Sequence, residues 1–128
     1  DFTNVNAQDA MGNTALHLAA AAGLTDGVGL LLSSDKFTVV NVRNNAGFTA
    51  LTSAIYGGSV DVCNALLSSS IFTAVDTESL RMSIKLNRYA ICKALLRWTG
   101  WERYKSDERR GILEAARDTV PQYAQRHL

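Results

Sequence analysis

The chain has 128 residues, a length that suits one domain. Hydrophobic residues make up 47% of it, too many for a disordered segment. The net charge of +1 hides a division: residues 1–80 carry two bases against seven acids, and residues 81–128 carry eleven against five.

No apolar run reaches the roughly 18 to 20 residues that cross a bilayer. The longest, Ala15 to Leu24, is interrupted by His17. No secretory signal opens the chain, and Asp1 stands in place of an initiator Met, so targeting is left open. The basic half reads either as ordinary solvated charge or as a surface for an acidic partner, phosphorylated peptide or nucleic acid.

In chain order, Asp9 and Gly12 predict a tight turn, with Gly12 free to take positive φ. Thr14 is placed to cap a short Ala-rich helix, which Gly23 ends. Thr25 or Asp26 starts a second helix carrying Val28, Leu31 and Leu32 at helical spacing. The same text then returns 35 residues on. Asn13-Thr14-Ala15-Leu16-His17-Leu18-Ala19-Ala20 becomes Phe48-Thr49-Ala50-Leu51-Thr52-Ser53-Ala54-Ile55, and Leu31-Leu32-Ser33-Ser34 becomes Leu66-Leu67-Ser68-Ser69. Asn44 and Gly47 form the second turn, Thr49 the cap, and Gly57-Gly58 the break between helices. Val62, Cys63, Leu66 and Leu67 line the helix after it. The serine runs read as helix ends. A fixed period of this length indicates stacked repeats, which present a surface more often than they react.

A third unit is visible through Cys92-Lys93-Ala94-Leu95-Leu96, which matches Cys63-Asn64-Ala65-Leu66-Leu67 at an offset of 29. The six missing residues fall around Asp76 to Glu78. This unit is expected to keep both helices and lose its turn. Leu86 and Asn87 replace the glycine pair, Asn being the next-best residue for a left-handed turn. The polar stretch from Thr99 to Arg110 leads to a degenerate fourth unit. There Ile112, Ala115, Ala116, Ala124 and Leu128 fall on Leu16, Ala19, Ala20, Val28 and Leu32. Pro121 sits at an allowed helix start, and the polar His127 suits a terminal cap. An unrelated C-terminal helix is the alternative. At the front, residues 1–6 match residues 36–41, so a further repeat or N-terminal cap is expected upstream. The expected division is 1–5 tail of an earlier repeat, 6–38 and 39–73 intact repeats, 74–98 a fingerless repeat, and 99–128 linker and cap.

Asn6-Ala7-x-Asp9-x-x-Gly12-x-Thr14-Ala15-Leu16-His17-x-Ala19-Ala20-x-x-Gly23, followed by Leu31-Leu32, resembles an ankyrin repeat, whose signature is T-P-L-H-x-A at a period of about 33. Ala15 and Ala50 replace the Pro, and Thr52 replaces the second His. The resemblance implies an all-α solenoid of helix-turn-helix units with short β-hairpin fingers and a C-terminal cap. It also implies that His17 hydrogen-bonds Thr14 and ties neighbouring turns.

Little in the chain points to chemistry. His17 has no second His, Cys or carboxylate at ligand spacing, so no metal, cofactor or catalytic role is expected. Cys63 and Cys92 share the repeat column that holds Val28 in the first unit, a small apolar core position. Neighbouring helices pack about 8–10 Å apart, beyond the roughly 7 Å that a disulfide allows. Two buried, reduced thiols and an intracellular setting are expected. Trp98, Trp101 and Tyr104 read as an anchor for the linker or as an aromatic hot spot.

The resemblance implies a non-catalytic module that binds a protein or peptide through finger tips and the concave face of the first helices. Carried over by position, the candidate contacts are Met11, Asn13, Arg43, Asn45, Phe48, Tyr56, Lys85 and Leu86. Phe48 and Tyr56 stand where the first unit has Asn13 and Ala21, so packing does not demand their bulk. With Arg43 and Lys85 beside them, they suit a peptide with a hydrophobic anchor and acidic neighbours. Two other readings are kept: a recruiting domain of a larger enzyme or bacterial effector, and binding of nucleic acid or an acidic ligand by the basic end. Interleaved acids weigh against nucleic acid. A monomer is expected, with no membrane partner, although the charge division also permits head-to-tail association.

Overall fold

The computed structural model describes residues 4–98, which form six helices: α1 (Ala15–Ala21), α2 (Thr25–Ser33), α3 (Ala50–Gly57), α4 (Val60–Ser68), α5 (Thr77–Lys85) and α6 (Tyr89–Arg97). The chain divides into two units, Asp1–Val75 and Asp76–Leu128. The expected fourth unit, with Trp101, Tyr104 and His127, lies outside the described residues.

In the first unit, the two copies of the repeat become two helix pairs. Thr14 caps α1 by accepting the His17 N–H, and Thr49 caps α3 by accepting the Thr52 N–H. Ser59 does the same for α4 through the Val62 N–H. Each such cap satisfies a donor that the first helical turn leaves without a partner. Asp26 and Asp61 lie in the first turns of α2 and α4, where a carboxylate suits the positive end of the helix dipole.

Helix α1 packs against α3, and α2 against α4. The layer between them is filled by Leu16, Ala20 and Val28 from one pair and Leu51, Ala54, Ile55, Val62, Cys63 and Leu66 from the other, all buried. Phe37 and Phe72, one period apart, are buried after the second helix of each pair. The approach of α3 to α1 is close enough that a Cβ on Gly57 would lie 2.5 Å from the Ala21 carbonyl oxygen. Any side chain there would push the two pairs apart.

The fingers are reverse turns, and no strand occurs among the described residues. The Asp9 N–H donates to the Asn13 carbonyl and the Gly12 N–H to the Asp9 carbonyl, each at 2.9 Å. The Asn44–Phe48 and Gly47–Asn44 bonds repeat this pattern at 2.9 Å. Five residues closed this way leave no length for a paired ladder, so the expected hairpin is a turn alone.

In the second unit, Asp76 caps α5 by accepting the Ser79 N–H. Leu80, Ile91, Cys92 and Leu95 are buried, with Ser79 and Ser83. The Ser83 hydroxyl donates to the Leu80 carbonyl at 2.7 Å and is thereby satisfied inside its own helix. Asn87 breaks α5 from α6 at φ 58, the same left-handed turn that Gly23 (φ 73) and Gly58 (φ 80) make in the first unit. The connection 69–76 before α5 is half as long as the connection 34–49 before α3.

Candidate functional site

Each finger is organised by one side chain. Asp9 Oδ1 accepts from the Met11 and Asn13 N–H groups at 2.9 and 2.8 Å. Asn44 Oδ1 accepts from Ala46 and Phe48 at 3.0 and 2.9 Å. The Asn13 backbone N–H donating to Asp9 is the main reason its carboxyl is held below the ordinary carboxylate range. A second brace closes each turn from outside. Gln8 Nε2 donates to the Gly12 carbonyl at 2.8 Å, and Arg43, one period later, donates to the Gly47 carbonyl at 2.9 Å.

The fingers are also tied to one another. His17 Nδ1 lies 3.1 Å from the Thr14 nitrogen and 2.9 Å from its hydroxyl, while Nε2 lies 2.7 Å from the Phe48 carbonyl oxygen. The Thr14 N–H can only donate and the Phe48 carbonyl oxygen can only accept. The proton is therefore assigned to Nε2, and the neutral imidazole bridges two repeats while 2% exposed. This is the tie that the resemblance implied. In the second copy, Thr52 is too short to reach forward and donates back to the Thr49 carbonyl at 2.9 Å.

Asparagines supply further ties. The Asn45 N–H donates to the Met11 carbonyl at 2.9 Å, its amide to the Ala10 carbonyl at 3.1 Å, and Asn44 Nδ2 to Asn13 Oδ1 at 2.8 Å. At the base, Asn6 donates to the Lys36 carbonyl at 3.0 Å and accepts from the Thr38 N–H at 2.8 Å. Asn41 repeats this with Ile71 at 3.1 Å and Thr73 at 2.7 Å.

Two large side chains near this framework are well exposed. Met11 at the first finger tip is 66% exposed and Tyr56 on α3 is 65% exposed. The Tyr56 ring meets the half-buried Phe48 ring at a centroid distance of 6.4 Å and an interplanar angle of 45°. That tilted arrangement is one that aromatic quadrupoles favour.

A family model described as ankyrin repeats, in three copies, matches residues 2–77. The chain is a member of the ankyrin-repeat family. The chain has no match among curated proteins. The ankyrin match ends at the start of α5 and so takes in both fingers and all four helices of the first unit.

Within the ankyrin unit, the candidate contacts do not have equal freedom. Met11 and Tyr56 are exposed, and Phe48 pairs with Tyr56. Arg43 is exposed, with its guanidinium bonded to its own finger. Asn45 is exposed, with its amide engaged by the neighbouring finger, and Asn13 is half-buried between Asp9 and Asn44. Lys85 and Leu86 belong to the second unit, where Lys85 is the exposed last residue of α5 and Leu86 its half-buried C-cap. Sequence reasoning missed the bridging roles of Asn6, Asn41 and Asn45. The 35-residue recurrence of Asn6 at Asn41 was the signal that could have found the first two.

Both cysteines are unpaired and buried. Burial pushes the Cys63 thiol up to about 12, and burial, partly offset by hydrogen bonding with the Ser83 side chain, raises that of Cys92. Neither thiol is a ready nucleophile at neutral pH. Among the described residues no three His, Cys, Asp or Glu side chains converge on a metal position, and no helix is long and apolar enough to cross a membrane.

Proposed function

We propose that this chain is a non-catalytic binding module that takes a protein or peptide segment on the fingers and the exposed side of α3. Ankyrin repeats in general are protein–protein interaction modules, and the residue-level reading goes beyond that. The observation that carries it is Tyr56. A large aromatic is 65% exposed on the helix where the first copy has only Ala21, and it rests on the Phe48 ring. Holding a ring in place without burying it lowers the entropy cost of binding, and Tyr is among the residues that dominate interfaces. Met11 adds a flexible apolar contact at the next tip. Arg43 puts one positive charge on the second finger, so we take the preferred segment to have a hydrophobic anchor with an acidic neighbour for that charge. Lys85 and Leu86 are candidate contacts of the second unit in their own right. The buried thiols fit a reducing, intracellular compartment, and the boundaries 6–38, 39–73, 74–98 and 99–128 are our proposed repeat division.

The test is selection of peptides on the chain from a random library, followed by affinity measurement with Tyr56→Ala. An affinity loss of about tenfold or more is expected for loss of a hot-spot aromatic, with only a small fall in melting temperature from the lost ring contact. Equal affinity would remove Tyr56 from the site. Phe48→Ala is expected to weaken binding and to lower stability slightly, since its ring is half-buried.

A further inference from the structure

Helix α2 is held less firmly than the three helices around it. Its N-cap, Leu24, makes no side-chain hydrogen bond, whereas Thr14, Thr49 and Ser59 cap α1, α3 and α4. Val28 is the one buried residue of α2, against Val62, Cys63 and Leu66 in α4, and Leu30 is 74% exposed. Two glycines lie inside α2, Gly27 and Gly29, where α4 has Val62 and Asn64. Elsewhere in this unit glycine has a structural reason. Gly12, Gly23, Gly47 and Gly58 take positive φ, and a Cβ on Gly57 would strike the Ala21 carbonyl. Gly27 and Gly29 have neither reason. Neither takes positive φ, a Cβ on Gly29 would meet nothing within 4 Å among the described residues, and one on Gly27 would come no closer than 3.6 Å to Leu24 Cβ. Each therefore weakens the helix without serving a turn or a close approach. The Ser33 hydroxyl also reaches back to the Gly29 carbonyl at 2.8 Å, a bond of the kind that slightly destabilises a helix.

We infer that α2 is a flap that opens by local unfolding while α1, α3 and α4 stay packed. This inference does not depend on the proposed function. The chain is pinned on both sides of the flap. Before it, the Leu24 N–H donates to the Ala19 carbonyl at 2.9 Å. After it, Asn6 holds the Lys36 carbonyl and the Thr38 N–H, and Phe37 is buried. The ties between the fingers run through His17, Asn44 and Asn45, and none of them is to a residue of α2. Opening therefore releases residues 25–35 and leaves the register of the two repeats intact. It uncovers the side of α4 that packs on α2. Segments with few buried apolar contacts open in this way before the rest of a domain does.

Amide exchange of the folded chain, followed over a series of low denaturant concentrations, tests the inference. The α2 amides are expected to exchange at least about tenfold faster than the α4 amides. Their rates are also expected to rise less steeply with denaturant, because a local opening exposes little surface. Gly29→Ala adds a methyl group in open space and is expected to slow α2 exchange about fivefold, the difference in helix propensity between the two residues, without lowering the melting temperature. A protease that cleaves after leucine is expected to make its first cut within residues 4–75 between 24 and 35, and to make it more slowly in Gly29→Ala. Exchange of α2 and α4 at one rate with one denaturant dependence overturns the inference, since the two helix pairs would then open together. So does unchanged α2 exchange in Gly29→Ala, or a first cut elsewhere in residues 4–75.

Discussion

His17 is the residue whose loss has the widest local effect. Its imidazole satisfies the Thr14 N–H and is a second partner of the Phe48 carbonyl, which also accepts the Asn44 N–H; without it the buried Thr14 N–H loses its partner. His17→Ala is therefore expected to cost about 1–3 kcal/mol, measured by denaturant unfolding. Asp9 and Cys63 give opposite pH dependences. The Asp9 carboxyl is depressed in the folded state, so its contribution is full above its ordinary value of 3.8 and is lost as pH falls through the lower folded value. Asn44 holds the second finger with an amide, so Asp9→Asn is expected to keep the turn and reduce the acid sensitivity of the melting temperature. The Cys63 thiol is raised, so its contribution is full below 9.0 and is lost as pH rises towards about 12. Cys63→Val installs the residue that the first copy has at that position. The variant is expected to lose less stability than wild type between pH 9 and 11; parallel curves would contradict the assignment.

At the scale of elements, Gly12 and Gly47 are the same position of the two fingers and both have positive φ, 80 and 83. Their surroundings differ. A Cβ on Gly12 would lie 2.6 Å from Asn45 Oδ1 and 2.9 Å from its backbone nitrogen, whereas one on Gly47 would meet nothing within 4 Å among the described residues. Gly47→Ala is expected to cost about 1 kcal/mol for the left-handed backbone alone. Gly12→Ala adds a clash with the neighbouring finger and is expected to cost about 3 kcal/mol. Equal losses would mean that the fingers do not pack on each other in solution. The same contrast marks the limit of what was legible in the sequence. Threonine caps, the glycine column and the Asn87 substitution are local features, each set by one residue's own conformational preference, and they could be read in advance. The bonds from Asn45 could not, and those from Asn6 and Asn41 left only their 35-residue recurrence as a sign. An exposed asparagine looks alike whether its amide faces water or a carbonyl 30 residues away, and only the stacked neighbour decides. The bulk of Phe48 and Tyr56 stood out by comparison with Asn13 and Ala21, but their ring contact depends on how the finger folds back over α3.

At the scale of the whole chain, burial among the described residues is greatest in α3, where residues 50–55 are all buried, while α5 mixes buried, half-buried and exposed positions. Amide exchange is expected to be slowest in α3 and faster in α5, since local opening exposes less apolar surface there. Faster exchange in α3 than in α5 would mean that the first unit is not held by the packing of α1 on α3. The intact repeats lie in the acidic part of the sequence, and the surplus of bases falls mostly on residues 81–97, where Arg81, Lys85, Arg88, Lys93 and Arg97 occur with no acid among them.

Asn6 and Asn41 carry a consequence for how such a gene can lengthen. Each side chain grips both the carbonyl and the amide of a segment 30 to 32 residues ahead, and so acts as a gauge of chain length. An insertion or deletion between Asn6 and Thr38 must be absorbed in a loop, or it pulls the grip out of register. Added sequence that arrives as a whole period of 35 residues, Asn6 to Asn41, leaves every grip intact. The asparagines thus favour growth by duplication of complete units over growth by small steps.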